Sequence, residues 1–337
     1  MSYNVAVVGA TGMVGRKMLE VLAEYDFPIA QLTLFASQRS AGKVIAYRGR
    51  DYIVEALTPT CLEGKKIDIA VFSAGGSTSL TFAPMFAEAG AVVVDNSSAW
   101  RMVPEIPLVV PEVNAHALAA HNGIIANPNC STIQAMVALK PLHDAFGLKR
   151  VVYSTYQAVS GAGQAGFDDL QRGIAGEAPQ KFPHPIFGNL IPQIDVFLDN
   201  GYTKEEMKMV DETRKILEIP SLPVTATCVR VPVYHGHSES INCEFEKPVT
   251  AATARQALEG APGLVVQDNT AAGEYPMPLY AADHDAVYVG RIRTDESRDN
   301  AVNLFVVSDN IRKGAASNTV QIALKLIEMG LVHGKVR

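Results

Sequence analysis

The chain has 337 residues, 48% of them hydrophobic, and a formal net charge of -6 with 29 Lys+Arg against 35 Asp+Glu. At roughly 150 residues per domain this predicts about two domains, and an acidic balance with no Lys/Arg-rich run argues against a nucleic-acid footprint. No apolar stretch reaches the about 18 residues of a membrane span, no signal-peptide pattern leads into the first strand, and the four cysteines (Cys61, Cys130, Cys228, Cys243) are too scattered for a disulfide framework or a zinc site, so the expectation is a reduced, cytoplasmic protein with no metal.

Asn4-Val-Ala-Val-Val8 is a continuous apolar run, the pattern of a parallel strand covered on both faces. It enters Gly9-Ala-Thr11-Gly12-Met13-Val14-Gly15, followed by a helical stretch with Met18, Val21 and Leu22 on the same side as Val14. Strand, glycine turn and helix form the context in which backbone N–H groups approach a pyrophosphate. The spacing is G-x-x-G-x-x-G rather than the usual G-x-G-x-x-G, and a purely structural turn is the alternative reading.

A second strand, Gln31–Ala36, ends in Ser37-Gln-Arg39-Ser40. A site for NAD offers an acid to the ribose 2′-hydroxyl; hydroxyls and an Arg suit a 2′-phosphate, which favours NADP. A merely solvated Arg39 is the plain alternative. Strands are predicted at 67–72 and 91–94 with a helix between them, and Ser73-Ala-Gly75-Gly-Ser closes the first as a cofactor-facing loop would. The fold class is therefore α/β: a doubly wound, Rossmann-type nucleotide domain whose ligands gather at the carboxyl ends of its strands.

Gly123–Ala126 reads as a short buried strand, and Ser131–Phe146 carries Ile133, Met136, Val137 and Leu139 at helical spacing. The turn Asn127-Pro-Asn129 between them places Cys130 at a helix N-terminus. The positive end of a helix dipole favours a thiolate there, the nucleophilic form; a small buried hydrophobe is the competing reading.

From about Lys149 the strands become longer and more mixed in polarity, as in an antiparallel sheet with one exposed face. They are predicted at 151–157, 224–235, 240–246, 286–292 and 301–307, with helices at 165–174, 204–217 and 253–259 and an irregular Pro/Gly-rich loop at 182–192. The second domain is thus α+β with a largely antiparallel sheet. An amphipathic helix over 311–330 is expected to pack back on the nucleotide domain. Three polar groups stand out: Gln157 to Gly163 at a strand end, Lys204 to Lys208 on a helix, and Arg230 with His237. On one regular strand Arg230 and His237 lie on opposite faces, and share a pocket only if Pro232 or Gly236 re-aims the chain.

The Gly9–Gly15 loop, Asp95-Asn-Ser-Ser-Ala-Trp-Arg101, Asn127-Pro-Asn-Cys130, Tyr156-Gln157-Ala-Val-Ser160-Gly161, Cys228-Val-Arg230, His237-Ser and Val307-Ser-Asp-Asn310 together closely resemble the aspartate-β-semialdehyde dehydrogenase family, in order along essentially the whole chain. The resemblance implies NADPH-dependent reductive dephosphorylation of 4-aspartyl phosphate to aspartate 4-semialdehyde, a step of lysine, methionine and threonine synthesis, by a homodimer or homotetramer. It implies a nucleotide domain at 1–128 completed by a helix over 311–337, and a catalytic and dimerisation domain at 129–310.

Residue by residue, the resemblance makes Cys130 the acyl-forming nucleophile, His237 the acid/base, and Gln157 the residue that orients substrate and acyl intermediate. Arg230 matches the carboxylate-gripping Arg, Arg101 and Lys208 the phosphate-binding pair, and Asn129 a substrate-side residue. A Glu near Lys208 holds the substrate ammonium; Glu205 is favoured by spacing, with Glu206 the alternative. Gly9, Thr11, Gly12, Met13, Val14, Ser37, Arg39, Ser40, Ser73, Gly75, Ser160, Gly161 and Asn310 fall at cofactor-contacting positions. The rival readings are an N-acetyl-glutamyl-phosphate reductase, a cysteine hydrolase built on Cys130 and His237, and a non-catalytic NADP-binding module.

Overall fold

A computed structural model describes residues 2–332, and positions 333–337 of the expected last helix lie outside the described residues. The chain divides into two compact units, Met1–Pro128 with Ala315–Arg337, and Asn129–Gly314.

In the first unit the order is β1 (Tyr3–Val8), α1 (Met13–Glu24), β2 (Ile29–Ala36), β3 (Val44–Tyr47), β4 (Arg50–Ile53), β5 (Glu55–Ala56), β6 (Ile69–Phe72), α2 (Gly76–Glu88), β7 (Val92–Asp95), α3 (Pro111–Asn114) and β8 (Ile124–Ala126). Six strands form one sheet in the order β5-β2-β1-β6-β7-β8, every pair parallel. The continuous apolar runs follow from burial on both faces. Val5 and Val7 of β1 join Met18 and Leu22 of α1 and Val320 and Leu326 of the helix Ser317–Glu328 in one core. Ala6 and Val8, pointing the other way, join Phe72 of β6 and Ala83 and Phe86 of α2 in a second. The helix Ser317–Glu328 packs in the first unit, while residues 311–314 of the helix expected from the sequence fall in the second. Asn318 secures the helix with bonds to Val109 O (3.0 Å) and Asn127 Oδ1 (2.7 Å). The β3–β4 hairpin, not anticipated from the sequence, lies outside this sheet.

The second unit runs α4 (Cys130–Phe146), β9 (Leu148–Gln157), α5 (Gln164–Ile174), α6 (Lys204–Ile216), β10 (Val224–Arg230), β11 (His237–Phe245), α7 (Ala251–Leu258), β12 (Leu264–Val266), α8 (Pro278–Ala281), β13 (Val287–Thr294) and β14 (Ala301–Ser308). Its sheet has the order β10-β9-β11-β14-β13-β12. The three central pairings are antiparallel, as expected, but both edge strands pair in parallel, so the sheet is mixed. One face is buried through Tyr153, Thr155, Ile241, Cys243, Leu304 and Val306. The other stays partly open at Ser154, Tyr156, Ser240, Asn242, Asn303 and Phe305.

One expectation is corrected. The strand predicted over 224–235 ends at Arg230, and His237 opens the next strand, β11. Arg230 and His237 therefore sit on two strands, joined by a turn in which Gly236 takes φ +85, a conformation other residues rarely adopt. Among the described residues no helix is long and apolar enough to cross a membrane.

Candidate active site

Three strand ends of the second unit meet at one edge. Arg230 and Gln157 are partners in the parallel β10–β9 pair, so both strands finish together. β11 runs antiparallel to β9 with Ser238 opposite Tyr156, which brings His237, its first residue, to the same edge.

The nucleophile candidate comes from α4, whose first residue is Cys130 and whose N-cap is Asn129. The Asn129 side-chain oxygen accepts from Ser131 N–H (3.0 Å) and Thr132 N–H (3.3 Å), the usual way a cap satisfies a helix start. Its amide donates to Glu205 Oε1 (2.9 Å), and its backbone N–H to Glu212 Oε2 (2.7 Å). Two carboxylates of α6 thus fix the turn that delivers Cys130, which is partly exposed, to the positive end of a helix. The other three cysteines are buried, and burial raises their thiol pKa values, which makes them inert.

Glu205 and Glu206 have separate tasks. Glu206 closes a capping box, accepting from Thr203 N–H (2.7 Å), and its second oxygen accepts from Cys228 N–H (3.0 Å). Glu205 instead accepts from the amides of Gln157 (3.0 Å) and Asn129 and pairs with Lys208 Nζ at 2.9 Å. Burial opposes its ionisation, but the Lys208 charge and these hydrogen bonds outweigh it and bring its pKa down to about 2. Glu205 is the fixed anion at the edge, and Lys208 also bridges to Asp195 (3.2 Å).

Arg230 is buried and donates from Nη1 to Ala158 O at 2.6 Å. Burial lowers its pKa, an effect countered by the negative potential of Glu205 and Cys130 nearby. His237 is wholly buried; its Nδ1 accepts from Ala158 N–H at 3.0 Å, and its Nε2 has no hydrogen-bond partner. Because a backbone N–H can only donate, Nδ1 carries the lone pair and the neutral ring keeps its proton on Nε2. Burial and the Arg230 charge push the His237 pKa down to about 3. Gly161 makes room for both groups: a Cβ there would stand 2.7 Å from Arg230 Nη1 and 3.2 Å from His237 Nε2. Ser160, at 3.1 Å, and Gly236 N–H, at 2.9 Å, both bond the Asn310 amide group. Asn310 therefore ties the Ser160–Gly161 turn to the turn that precedes His237.

The first unit holds its own group. α1 starts at the N-cap Gly12 with no side-chain cap and no acid in its first turn, and α2 starts in the same way at Gly75. A Cβ on Gly15 would run into the Gly9 carbonyl oxygen, so the turn carrying Thr11, Gly12, Met13 and Val14 keeps its backbone close and open. Beyond β2, Ser37 and Arg39 are exposed, Ser40 is half-buried, and Thr11 Oγ1 lies 3.4 Å from Ser40 Oγ. The buried Ser73 hydroxyl, after β6, has no partner. Uncapped helix starts, an orphaned hydroxyl and a turn with an Arg but no acid fit a dinucleotide bearing a 2′-phosphate. Arg101, in the same unit, is buried and donates to Asn127 O (2.9 Å) and Asn96 O (3.0 Å).

The second unit therefore brings together Cys130, Asn129, Gln157, Ser160, Gly161, Glu205, Lys208, Arg230, His237 and Asn310, while Arg101 and the nucleotide-loop residues belong to the first. Sequence reasoning missed Ala158, whose N–H and C=O hold His237 and Arg230 through its backbone, which leaves no side-chain signal. It also missed Glu239, a wholly buried carboxyl on β11 in which neither oxygen makes a well-formed hydrogen bond, and Asp169 of α5.

Residues 4–121 match the family model for a semialdehyde dehydrogenase NAD binding domain, and residues 139–313 that for a semialdehyde dehydrogenase dimerisation domain. An aspartate-semialdehyde dehydrogenase of Aquifex aeolicus is 55% identical, over 98% of this chain and 100% of its own. A crystal structure of aspartate semialdehyde dehydrogenase II of Vibrio cholerae, complexed with ASA, is similar at a TM-score of 0.93 and 48% identity, covering 97% of this chain and 99% of its own. A Candida albicans aspartate semialdehyde dehydrogenase crystallised with NADP is similar at a TM-score of 0.78 and 26% identity, covering 98% and 100%.

Proposed function

The chain belongs to the aspartate-semialdehyde dehydrogenase family, and from that premise we propose how its own residues carry out the NADPH-dependent reductive dephosphorylation of 4-aspartyl phosphate. The observation that carries the assignment is the edge where β9, β10 and β11 present Gln157, Arg230 and His237 beside Glu205 and Lys208 of α6 and the first residue of α4.

A substrate with one carboxylate, one ammonium and one phosphate finds a counter-charge for each. Arg230 offers a planar fork to the carboxylate, Glu205 the anion for the ammonium, and Lys208 positive charge for the phosphate, the role in which the family resemblance also casts Arg101. Glu205 is assigned to the ammonium because it stands among Gln157, Asn129 and Lys208 at this edge, whereas Glu206 is turned to the backbone N–H groups of Thr203 and Cys228. The Gln157 amide, oriented by Glu205 and Thr155, steadies the bound acyl group.

The Cys130 thiolate attacks the acyl phosphate carbonyl, and collapse of the tetrahedral oxyanion expels phosphate and leaves a thioester on Cys130. The Gly9–Val14 turn, Ser37, Arg39, Ser40, Ser73 and Gly75 would hold NADPH, whose chemistry at the thioester would be hydride donation. The thiohemiacetal oxyanion then releases aspartate semialdehyde and regenerates the thiolate. Each collapse starts from an oxyanion, so the carbonyl needs a hydrogen-bond donor more than a base. Neutral His237 with its proton on a buried, unpartnered Nε2 is such a donor.

The dimerisation-domain match makes the chain an oligomer-forming one; we assign a homodimer, alone or paired into a tetramer, built on the open face of the second sheet. We place the reaction in the cytoplasm, where the buried thiols stay reduced.

The test is phosphate-dependent NADPH formation from aspartate semialdehyde, run beside N-acetyl-glutamate semialdehyde. Turnover of the first substrate alone is expected, and preference for the acetylated one overturns the assignment. In Cys130→Ser, NADPH still binds and no thioacyl enzyme forms; full turnover of that variant rules out the mechanism.

A further inference from the structure

Asp169 of α5 is buried. Its carboxylate accepts three consecutive backbone N–H bonds, from Gln180 (2.8 Å), Lys181 (2.7 Å) and Phe182 (2.8 Å), and a fourth bond from Arg172 (3.1 Å). Burial opposes its ionisation, but those bonds win and hold its pKa below the usual range. This concentration of donors on one carboxylate fixes the start of the Pro/Gly-rich segment, whose residues 180 and 181 are themselves exposed.

The far end of the segment is fixed by Arg230 itself: Arg230 N–H donates to Ile191 O at 2.8 Å, and Ile191 N–H to Arg230 O at 3.0 Å. Between the two anchors the Phe182 ring lies 5.9 Å from the Arg230 guanidinium carbon, within cation–π range. The ring backs onto α5, where a Cβ on Gly166 would come within 3.2 Å of it, and packs in a small core with Val159, Leu170, Ile186 and Ile191.

We propose that Asp169 is a positioning residue for substrate recognition: it anchors a strap, residues 180–191, that lays Phe182 against Arg230 and so sets the plane in which the guanidinium meets the substrate carboxylate. The inference rests on the reading of Arg230 as the carboxylate-binding group. An aromatic face leaves the edge N–H donors of a guanidinium available, whereas a second carboxylate beneath it would compete with the substrate. Three of the four bonds on Asp169 come from the strap's own backbone, so its carboxylate is spent on holding the strap.

Asp169→Asn, Phe182→Leu, Phe182→Tyr and Arg230→Lys are compared by steady-state kinetics in the aspartate semialdehyde, phosphate and NADP directions, with melting curves. Asp169→Asn and Phe182→Leu are expected to raise the KM for aspartate semialdehyde about threefold to tenfold, leaving kcat and the KM for phosphate and NADP within about twofold; Phe182→Tyr, which keeps the aromatic face, restores the wild-type KM. An unchanged KM in Phe182→Leu, or equal losses on all three substrates, overturns the inference even if Asp169→Asn does not fold. An unchanged KM in Arg230→Lys overturns the carboxylate reading itself, and the inference with it.

Discussion

Replacing His237 with Asn separates the two nitrogens of the ring. Asn keeps an acceptor near Nδ1, where Ala158 N–H donates at 3.0 Å, and has nothing at Nε2. The Nε2 group is wholly buried with no protein partner, so nothing in the second unit competes with an oxyanion for it. Loss of one such donor costs about 3–4 kcal/mol of transition-state stabilisation, or about 10²–10³ in kcat. His237→Gln restores an amide near Nε2 and recovers part of that loss, while leaving Ala158 N–H unsatisfied at a cost of about 1–3 kcal/mol in stability. With a His237 pKa of about 3, set by burial and by Arg230 against the weaker opposing pull of Glu205, about one ring in 10⁴ is charged at pH 7.

The kcat of wild-type enzyme is therefore expected to show no His237 limb between about pH 5 and 8. Nitrogen NMR of ¹⁵N-histidine-labelled protein reads the Nε2–H tautomer directly. The sign for stability follows: an unfolded His takes a proton below about pH 6.5 and the native one only near 3, so stability is present above about 6.5 and lost as pH falls, by about 1.4 kcal/mol per unit. His237→Asn removes that acid sensitivity. A kcat loss under tenfold, a limb near pH 6.5 that disappears with His237, or an Nδ1–H resonance refutes the donor role.

Glu239 behaves in the opposite sense, because burial raises its pKa well above the usual value and outweighs the opposing effect of Gln134. Its contribution is present below about pH 4.3 and lost as pH rises, so Glu239→Gln should gain stability relative to wild type by up to about 1.4 kcal/mol per pH unit; parallel melting-temperature profiles from pH 5 to 8 count against it. In Gly314→Ala the new methyl would stand 2.8 Å from Cys130 Cβ, and a nucleophile moved by about 1 Å loses about 10² in kcat; the alkylation rate of Cys130 and kcat should change together, and a wild-type kcat would show that the contact does not set the thiol's position. Arg39→Ala should weaken NADPH far more than NADH in fluorescence titration, and an equal loss for both would remove Arg39 from the 2′-phosphate.

Local patterns were legible and long-range ones were not. The glycine turn with its flanking strand and helix, and Cys130 at the start of α4, depend on residues a few positions apart. Thr203 and Glu206 carry the three-residue spacing of a capping box, a signal that separates Glu206 from Glu205 in the sequence itself. The break between Arg230 and His237 was harder to place, because Val231 to His235 are as compatible with a strand as with the turn they form. Asp169 looks like any surface acid on an amphipathic helix; its three backbone partners lie 11 to 13 residues away, on a stretch with no periodicity to reveal them.

Parallel pairing of β10 with β9 demands a long crossover, and everything from Ala158 to Pro223 serves as that connection. Glu205, Lys208, Asp169 and Phe182 all ride on it, whereas Cys130, Gln157 and His237 lie outside. Selection can therefore lengthen, shorten or exchange the connection to suit a different acyl phosphate, provided it returns the chain to the same edge with an Arg at its end. Substrate choice is modular in this architecture, and apart from the Ala158–Gly161 turn that seats His237 and Arg230, bond-making chemistry is held by the parts of the chain that such remodelling leaves alone.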